Sequence, residues 1–600
     1  SINGAANTTT IDTYDALSRV TQLTNPLGTF QHTYDPVNLL PKTLTAPNGM
    51  VTEFSYLNAA ADLRLSEIKH TLPGNAPLSK HNYEYRKNGN ISSWQRQIGA
   101  NPATKFSFGY DKGDQLTSAT LAAVTNPNSP LESHSFQYDK AGNRTSRQSG
   151  NVIERATHNN TNQITSTQAG GKMRVAGITD EPATVKVNGK PALTTAQNQY
   201  EAWVDVASGE NTLSIEAEDF SPNKNKLTKS WKVNVTGTAR TPAYDLNGNT
   251  LTDGTGKSYV WDAENRLVKI IYADNSSTEF QYNGLSQRVR VIEKSAANAT
   301  ISDKRYLWSG GNQPAEERDS SGSTVLKRYF PQGEQIPAAV APLDKLFYTR
   351  DHLGSVRELV DSTGTPCTRY DYDMWGKRVK LSGTLETELG YTGHHHHAKS
   401  GLVLTWFRAY DTEVGRWLSA DPLDSVTGEM AELLPEGPNL YAYVGNDAMN
   451  KVDPLGLNYF EIDEFFREPG GGGGGNMIGS GGGGGGGGRC GGSARAVPAG
   501  KAIRGPSGKV SSQKYLKNNW DKGTFGSVEK SIKYHVAKHG KGLSPERYTQ
   551  KAMKCFKDKE ATRTNSIDKQ HRDVIKVKGV DGIGLFTPKG KIIWFHPSGK

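Results

Sequence analysis

Six hundred residues exceed what one hydrophobic core usually serves, so several domains are expected. An apolar share of 34% with 65 glycines and 25 tyrosines favours many short strands and tight turns, and no run of about eighteen apolar residues offers a membrane-spanning helix. The net charge of +10 conceals two parts: Arg489 to Lys600 holds 25 Lys and Arg against 8 Asp and Glu, a net of +17, while the remainder is near −7.

Three widely spaced cysteines, Cys367, Cys490 and Cys555, exclude a disulfide framework and a C-x-x-C zinc site. They point to folding in a reducing cytoplasm. The chain opens on SINGAANTTTIDTYDALSRV, already inside a repeat and without an initiator Met or signal peptide, so a longer protein extending upstream is expected.

From Tyr14 a theme recurs: alternating apolar residues, then Tyr-Asp or a relative, then a Gly or Asn turn. It reads TYDALSRV at Thr13, TYDPVNLL at Thr33, GYDKGDQL at Gly109, QYDKAGNR at Gln137, AYDLNGNT at Ala243, VWDAENRL at Val260 and QYNGLSQR at Gln281. Aromatics at 244, 261, 282, 306, 329, 348 and 370 recur every 17 to 24 residues, the span of one strand-turn-strand unit. Each aromatic supplies a large apolar contact and a hydroxyl expected to stay wet, while Asp with Gly or Asn suits the turn. Such units occupy 1–171 and 239–380, and stacking edge to edge would let them close a long sheet.

Between 172 and 238 the repeat is interrupted. ATVKVNGKPA, YEAWVDVASGENTLSIEAED and KSWKVNV alternate with period two around Asn188-Gly189 and SGEN turns, which predicts a small β-sandwich. The segment resembles Ig-like modules of secreted bacterial proteins. A structural insertion is the expected role, with glycan or surface adhesion the alternative.

Four histidines stand at 394–397. Neighbours on a strand point to opposite faces, so at most two could share one metal, and structural or proton-sensitive roles are expected. Beyond Leu457, NYFEIDEFFREP and the polyglycine stretch Gly470 to Gly488 form a 458–510 linker that burial cannot order.

The basic 511–600 reads as a small α+β domain. SVEKSIKYHVAKHG places Val528, Ile532, His535 and Val536 near one helix face and stops at Gly540; SPERYTQKAMKCFKDKEA opens on Ser544 and Pro545. RDVIKVKG, IGLFTPKG and KIIWFHPSG predict three antiparallel strands. A concentrated cation of this size suits a phosphate polymer. Candidate residues for ribose-phosphate chemistry are His535, Lys538, His539, His571, Arg572, Thr587 and His596, because histidine moves protons near neutral pH and cations stabilise a phosphorane. The pattern is loosely similar to barnase, EndoU, colicin and RelE-like RNase toxins, which implies a metal-independent RNase. No D/E-x-K or H-N-H pattern favours a metal-dependent DNase.

The stretch from Arg408 to Leu457 sits where the two unlike parts meet. RAYDTEVGRWLSADP and NLYAYVGNDAMNKVDPLGL resemble the two blocks of the Rhs repeat-associated core domain of Rhs and YD-repeat polymorphic toxins, here assigned to 381–457. One departure is Asn446-Asp447-Ala448, where the family often has N-D-P.

The resemblance implies a mainly β fold, a YD-repeat cocoon that encloses its own C-terminal toxin and cuts itself after Leu457. It maps the active groups onto Arg408, Asp421 and Asp453, with Arg416 the second choice for the arginine. Two adjacent carboxylates cannot both ionise cheaply, so one keeps a proton and the other activates water, in either order. No cofactor or metal is expected. Expected partners are RNA as toxin substrate, an immunity protein and a secretion apparatus, in a protein made in the cytoplasm and exported to deliver its toxin into a target cell. DNA cleavage, ADP-ribosylation or a non-enzymatic adhesion or carbohydrate-binding role are the alternatives.

Overall fold

The computed structural model describes residues 8–309, 312–422, 439–457 and 459–462, and in the C-terminal region residue 520 with 531–532, 548–549, 552–553, 562–567, 573–579, 582–586 and 592–597. The chain divides into two compact units: Ser1–Leu423 with Leu434–Gly485, and Asp424–Leu433 with Gly486–Lys600.

The first unit is built from two sheets of fourteen strands. One runs from Thr10–Tyr14 to Ile164–Ala169, the other from Ala243–Tyr244 to Arg378–Gly383, and in both every strand pairs antiparallel with its neighbours in sequence. The repeat explains this regularity. The aspartate after the aromatic accepts the backbone N–H groups two and four residues on: Asp111 from Gly113 and Gln115 at 2.8 and 3.0 Å, Asp139 from Ala141 and Asn143 at 2.9 Å each. The third residue after the aspartate then turns left-handed, at Ser18, Asp114, Gly142, Gly248, Asn265 and Gly376. A carboxylate that caps its own turn therefore sets each hairpin.

The aromatic tips depart from the expectation of a wet hydroxyl. Tyr34 donates to Val20 O at 2.9 Å, Tyr85 to Leu65 O at 2.5 Å, Tyr110 to Ile91 O at 2.9 Å and Tyr138 to Leu116 O at 2.7 Å, and Trp261 and Trp308 use their indole N–H in the same way. Burial of the ring draws its polar end indoors, where a carbonyl of the preceding unit satisfies it. Each repeat is thus tied to the one before it.

Between the sheets, residues Gly171–Val235 form a separate β module of one three-stranded and one four-stranded sheet around Val175, Val187, Ala202, Val204 and Leu213. Its strands Gly209–Asp219 and Lys226–Val235 pair along their full length.

After Gly383 comes a four-stranded sheet, His395–His397, Leu402–Leu404, Ala409–Asp411 and Arg416–Trp417. Its rings join both large sheets in one core, where Trp94, Phe106, Tyr348, Trp375, Tyr410 and Tyr443 are all buried. Asparagines of the NLYAYVGNDAMN block fasten it to shell turns: Asn439 Nδ2 reaches Asn143 Oδ1 at 2.8 Å, Asn446 Nδ2 reaches Gly142 O at 2.8 Å, and Asn450 Oδ1 takes the Ile91 N–H at 2.7 Å. Ala448 is fully buried at the point of departure from the N-D-P wording.

The second unit has a sheet of four strands, Thr562–Ile567, Asp573–Gly579, Gly582–Phe586 and Ile592–Pro597, one more than the sequence pattern predicted. The sequence TRTNSI carries no apolar alternation to announce it, and only its pairing with DVIKVKG makes it a strand. Residues 531–532, 548–549 and 552–553 are helical. Trp520 stacks on Tyr548 and donates to Thr549 Oγ1 at 2.8 Å in a core completed by Ile532, Val577, Phe586 and Ile592.

Candidate active site

A tight turn between the second and third strands of the four-stranded sheet carries Arg408, whose side chain is buried. Thr405 Oγ1 closes it, accepting the Arg408 N–H at 3.2 Å and donating to Arg408 O at 2.9 Å. The guanidinium lies 4.1 Å from the centre of the Trp417 ring, a face that supports a buried cation. Asp421 follows that tryptophan by four residues, whereas Asp453 arrives from beyond the asparagine block.

Both acids meet one nitrogen. Arg408 Nη2 stands 3.0 Å from Asp421 Oδ2 and 3.1 Å from Asp453 Oδ2. Arg408, Asp421 and Asp453 are 3%, 5% and 0% exposed, so one cation faces two carboxyls out of water. Burial raises the Asp453 carboxyl above its ordinary range, against Arg408 and the N–H groups of Leu457, Gly456 and Leu455, which favour its charge. Two carboxyls placed together out of water do not both ionise cheaply.

The D-P-L-G-L segment is held at five backbone groups. Asp453 Oδ1 accepts the N–H of Gly456 at 2.8 Å and of Leu457 at 2.9 Å. Arg408 Nε donates to Gly456 O at 2.6 Å, the Phe407 N–H to Leu455 O at 3.0 Å, and His394 Nε2 pairs with Pro454 O at 2.9 Å. Gly456 has φ +77°, and a Cβ there would fall 2.2 Å from Thr405 Oγ1, so only glycine fits.

Three contributors were not singled out in the sequence. Trp417 and Gly456 lie inside the motif words and Thr405 three residues before them, but their roles appear only when the turn folds. His394 belongs to the histidine run, in which His395 packs edge-on against Tyr306 and His397 lies 2.8 Å from both Glu293 Oε1 and Ser400 Oγ. All four are buried, and among the described residues no group of three or more His, Cys, Asp or Glu side chains is arranged to hold a metal. Arg416 lies apart from the acids, bound to Asn143 and Asn439 side chains and the Asn162 carbonyl.

Of the tail candidates, His535, Lys538, His539, His571, Arg572 and Thr587 lie outside the described residues, as do Cys490, Cys555 and the glycine-rich linker. His596 sits on the last strand, in register with Ile583. Among the described residues no helix is long and apolar enough to cross a membrane.

Fold and site together define a β-shell protein with an acidic pair built into its closing segment. Residues 318–449 match the Teneurin YD-shell family. Among curated proteins, the chain is 26% identical over 369 residues to the tRNA(Glu)-specific nuclease WapA of Bacillus subtilis subsp. natto, covering 59% of this chain and 15% of that one. It is 27% identical to Toxin protein Tse5 of Pseudomonas aeruginosa (36% and 18% covered) and 28% identical to Toxin subunit YenC1 of Yersinia entomophaga (36% and 23% covered). The crystal structure of TcdB2-TccC3 aligns over 75% of this chain and 22% of that one, with TM-score 0.46 and 18% identity. Over part of its length the chain is similar to these YD-shell and toxin proteins, and it spans less than a quarter of the length of these curated relatives.

Proposed function

We propose that this chain is the shell and cargo of an exported toxin: residues 1–457 form a shell that cleaves itself after Leu457, and 458–600 are the released toxin. The convergence of Asp421 and Asp453 on one Arg408 nitrogen, with Asp453 holding the Leu457 N–H, carries this reading.

In the proposed reaction Asp453, whose burial favours the protonated form, is the general acid. Asp421 takes a proton from water as its oxygen bonds to the Leu457 carbonyl carbon. The Leu457–Asn458 bond then breaks as Asp453 gives its proton to the Asn458 nitrogen, and the proton held by Asp421 restores the starting state. Arg408 keeps Gly456 O fixed and stabilises whichever carboxyl is charged. A denaturing gel of wild type should show the 143-residue piece from Asn458 to Lys600. A single intact chain in wild type would end the proposal.

For the toxin, the +17 charge and the relatives named as tRNA nucleases favour an RNase. Nucleic acid is the expected substrate in either case, since another relative is named a double-stranded DNA deaminase toxin. Expression of 489–600 with total RNA and plasmid DNA as substrates separates the two: degraded RNA supports the RNase, altered DNA with intact RNA replaces it. An immunity protein that neutralises 489–600 and an export machinery that carries the shell complete the proposal.

A further inference from the structure

The shell contains a second concentration of charge, far from neutral and unused by self-cleavage. Where strands Arg144–Ser149, Val152–His158 and Ile164–Ala169 meet the Glu413–Arg416 turn, a partly open cavity of about 30 Å³ is lined by five arginines, Arg144, Arg147, Arg155, Arg240 and Arg416. Two carboxylates, Glu154 and Glu413, share the lining.

Those carboxylates are already taken. Glu154 pairs with Arg147 at 2.9 Å and accepts the Thr238 N–H at 2.7 Å, and Glu413 pairs with Lys377 at 2.7 Å. Arg240 has its acid, Asp253, only at 3.8 Å, and Arg155 reaches the neutral Gln168 side chain at 2.9 Å.

The two deepest guanidiniums are the least compensated. Arg416 is 7% exposed, and its hydrogen bonds go to the neutral oxygens of Asn143, Asn162 and Asn439. Arg144 donates Nη2 to the Val414 carbonyl, lies 4.6 Å from the centre of the Trp375 ring, and leaves a buried Nη1 without a partner. Arg147 leaves Nε unpartnered as well. Desolvation lowers the pKa of both Arg144 and Arg416, the latter to about 10, and each also feels another cation. Buried guanidiniums normally sit against carboxylates, because a desolvated cation without a counter-charge is costly.

We propose that this cavity binds a polyvalent oxyanion of the phosphate class. Guanidinium forks match tetrahedral oxyanions through charge-assisted hydrogen bonds, and several donors converging on one cavity favour more than one negative charge. Inorganic phosphate, or the phosphate group of a small metabolite, presents the same chemistry. The bound anion would bridge the first sheet to the turn between Ala409–Asp411 and Arg416–Trp417. The proposal does not depend on self-cleavage, because the cavity residues and the readouts below are independent of Asp421 and Asp453.

The test uses the full chain. Thermal unfolding is followed in sodium phosphate and in sodium chloride at equal ionic strength and pH, with pyrophosphate as a second probe. Phosphate should raise the shell transition by about 2–4 °C over chloride. The double variant Arg155→Gln with Arg240→Gln, at the exposed rim and a half-buried position, should lose at least half of that shift. Crystals soaked in tungstate should show the anomalous peak in this cavity. An equal shift in the double variant, no shift in wild type, or tungstate bound only to the basic C-terminal part would each overturn the assignment. Inorganic phosphate saturating at crystal concentrations alone would reduce it to an adventitious ion only.

Discussion

Replacing Asp453 by asparagine isolates charge from shape. The side chain keeps its size, and an amide oxygen at the Oδ1 position still accepts the Gly456 and Leu457 N–H groups now at 2.8 and 2.9 Å. What changes is the other end, where an NH2 replaces the oxygen 3.1 Å from Arg408 Nη2 and sets donor against donor. A hydrogen bond to a charged group is worth about 1.5–3 kcal/mol, so the folded shell should lose about that much stability and remain folded. The amide cannot give up a proton as an acid does, and removing one general acid or base typically slows a reaction by about 10²–10⁴. Purified wild type and Asp453→Asn are compared on a denaturing gel from the first minutes of renaturation to days, with urea unfolding in parallel. The expectation is an intact variant chain with a moderately lowered urea midpoint. Cleavage of the folded variant within tenfold of the wild-type rate would refute the assignment of Asp453 as a proton donor.

Arg408→Met leaves two buried acids facing each other without their cation; a loss of about 3–5 kcal/mol is expected by urea unfolding, and a loss under about 1 kcal/mol would mean the acids are neutral there. Gly456→Ala puts a Cβ 2.2 Å from Thr405 Oγ1 at a left-handed φ of +77°, so cleavage should slow at least about tenfold, from a strain of about 1–2 kcal/mol plus the clash. Tyr85→Phe removes the 2.5 Å bond to Leu65 O and should cost about 1 kcal/mol, read from the urea midpoint. The pair of buried Glu317 and half-buried Glu388, bridged by Lys304 at 2.9 and 2.6 Å, sets a pH dependence. Burial and then Glu388 raise Glu317 from the ordinary 4.5 to about 7, so between those values the folded state binds the extra proton and stability falls as pH rises. Glu388 is depressed by its hydrogen bond with Glu317 and by Lys304, in spite of its burial, so below about 4.5 stability rises with pH. Unfolding free energies from urea titrations at pH 5 and 7.5 should differ by on the order of 1–3 kcal/mol in wild type, and the difference should shrink in Glu317→Gln.

Local chemistry made much of this protein legible in one dimension. An aspartate that accepts N–H groups two and four residues on, followed by a left-handed third residue, is a property of five consecutive residues, and the recurrence of that word every twenty or so announced the hairpins before any coordinates. Arg408, Asp421 and Asp453 could be numbered only through the resemblance of their motif words to a known family. What a string cannot carry is which neutral group meets a polar tip. The tyrosine hydroxyls read as wet because exposure is set by the neighbouring repeat, and the extra strand TRTNSI was silent because its pairing, and not its own alternation, makes it a strand.

The convergence at Arg408 belongs wholly to the tertiary structure. Asp421 and Asp453 are separated by more than thirty residues, and they share one nitrogen only because Asn439, Asn446 and Asn450 anchor the intervening chain to shell turns some three hundred residues earlier. The arginine cavity arises in the same way, from residues 144 to 416 whose like charges sequence spacing keeps apart and packing brings together. Short-range hydrogen bonding thus determined the strands and turns. Long-range burial decided which charges must face one another without water, and those are the places where chemistry is expected.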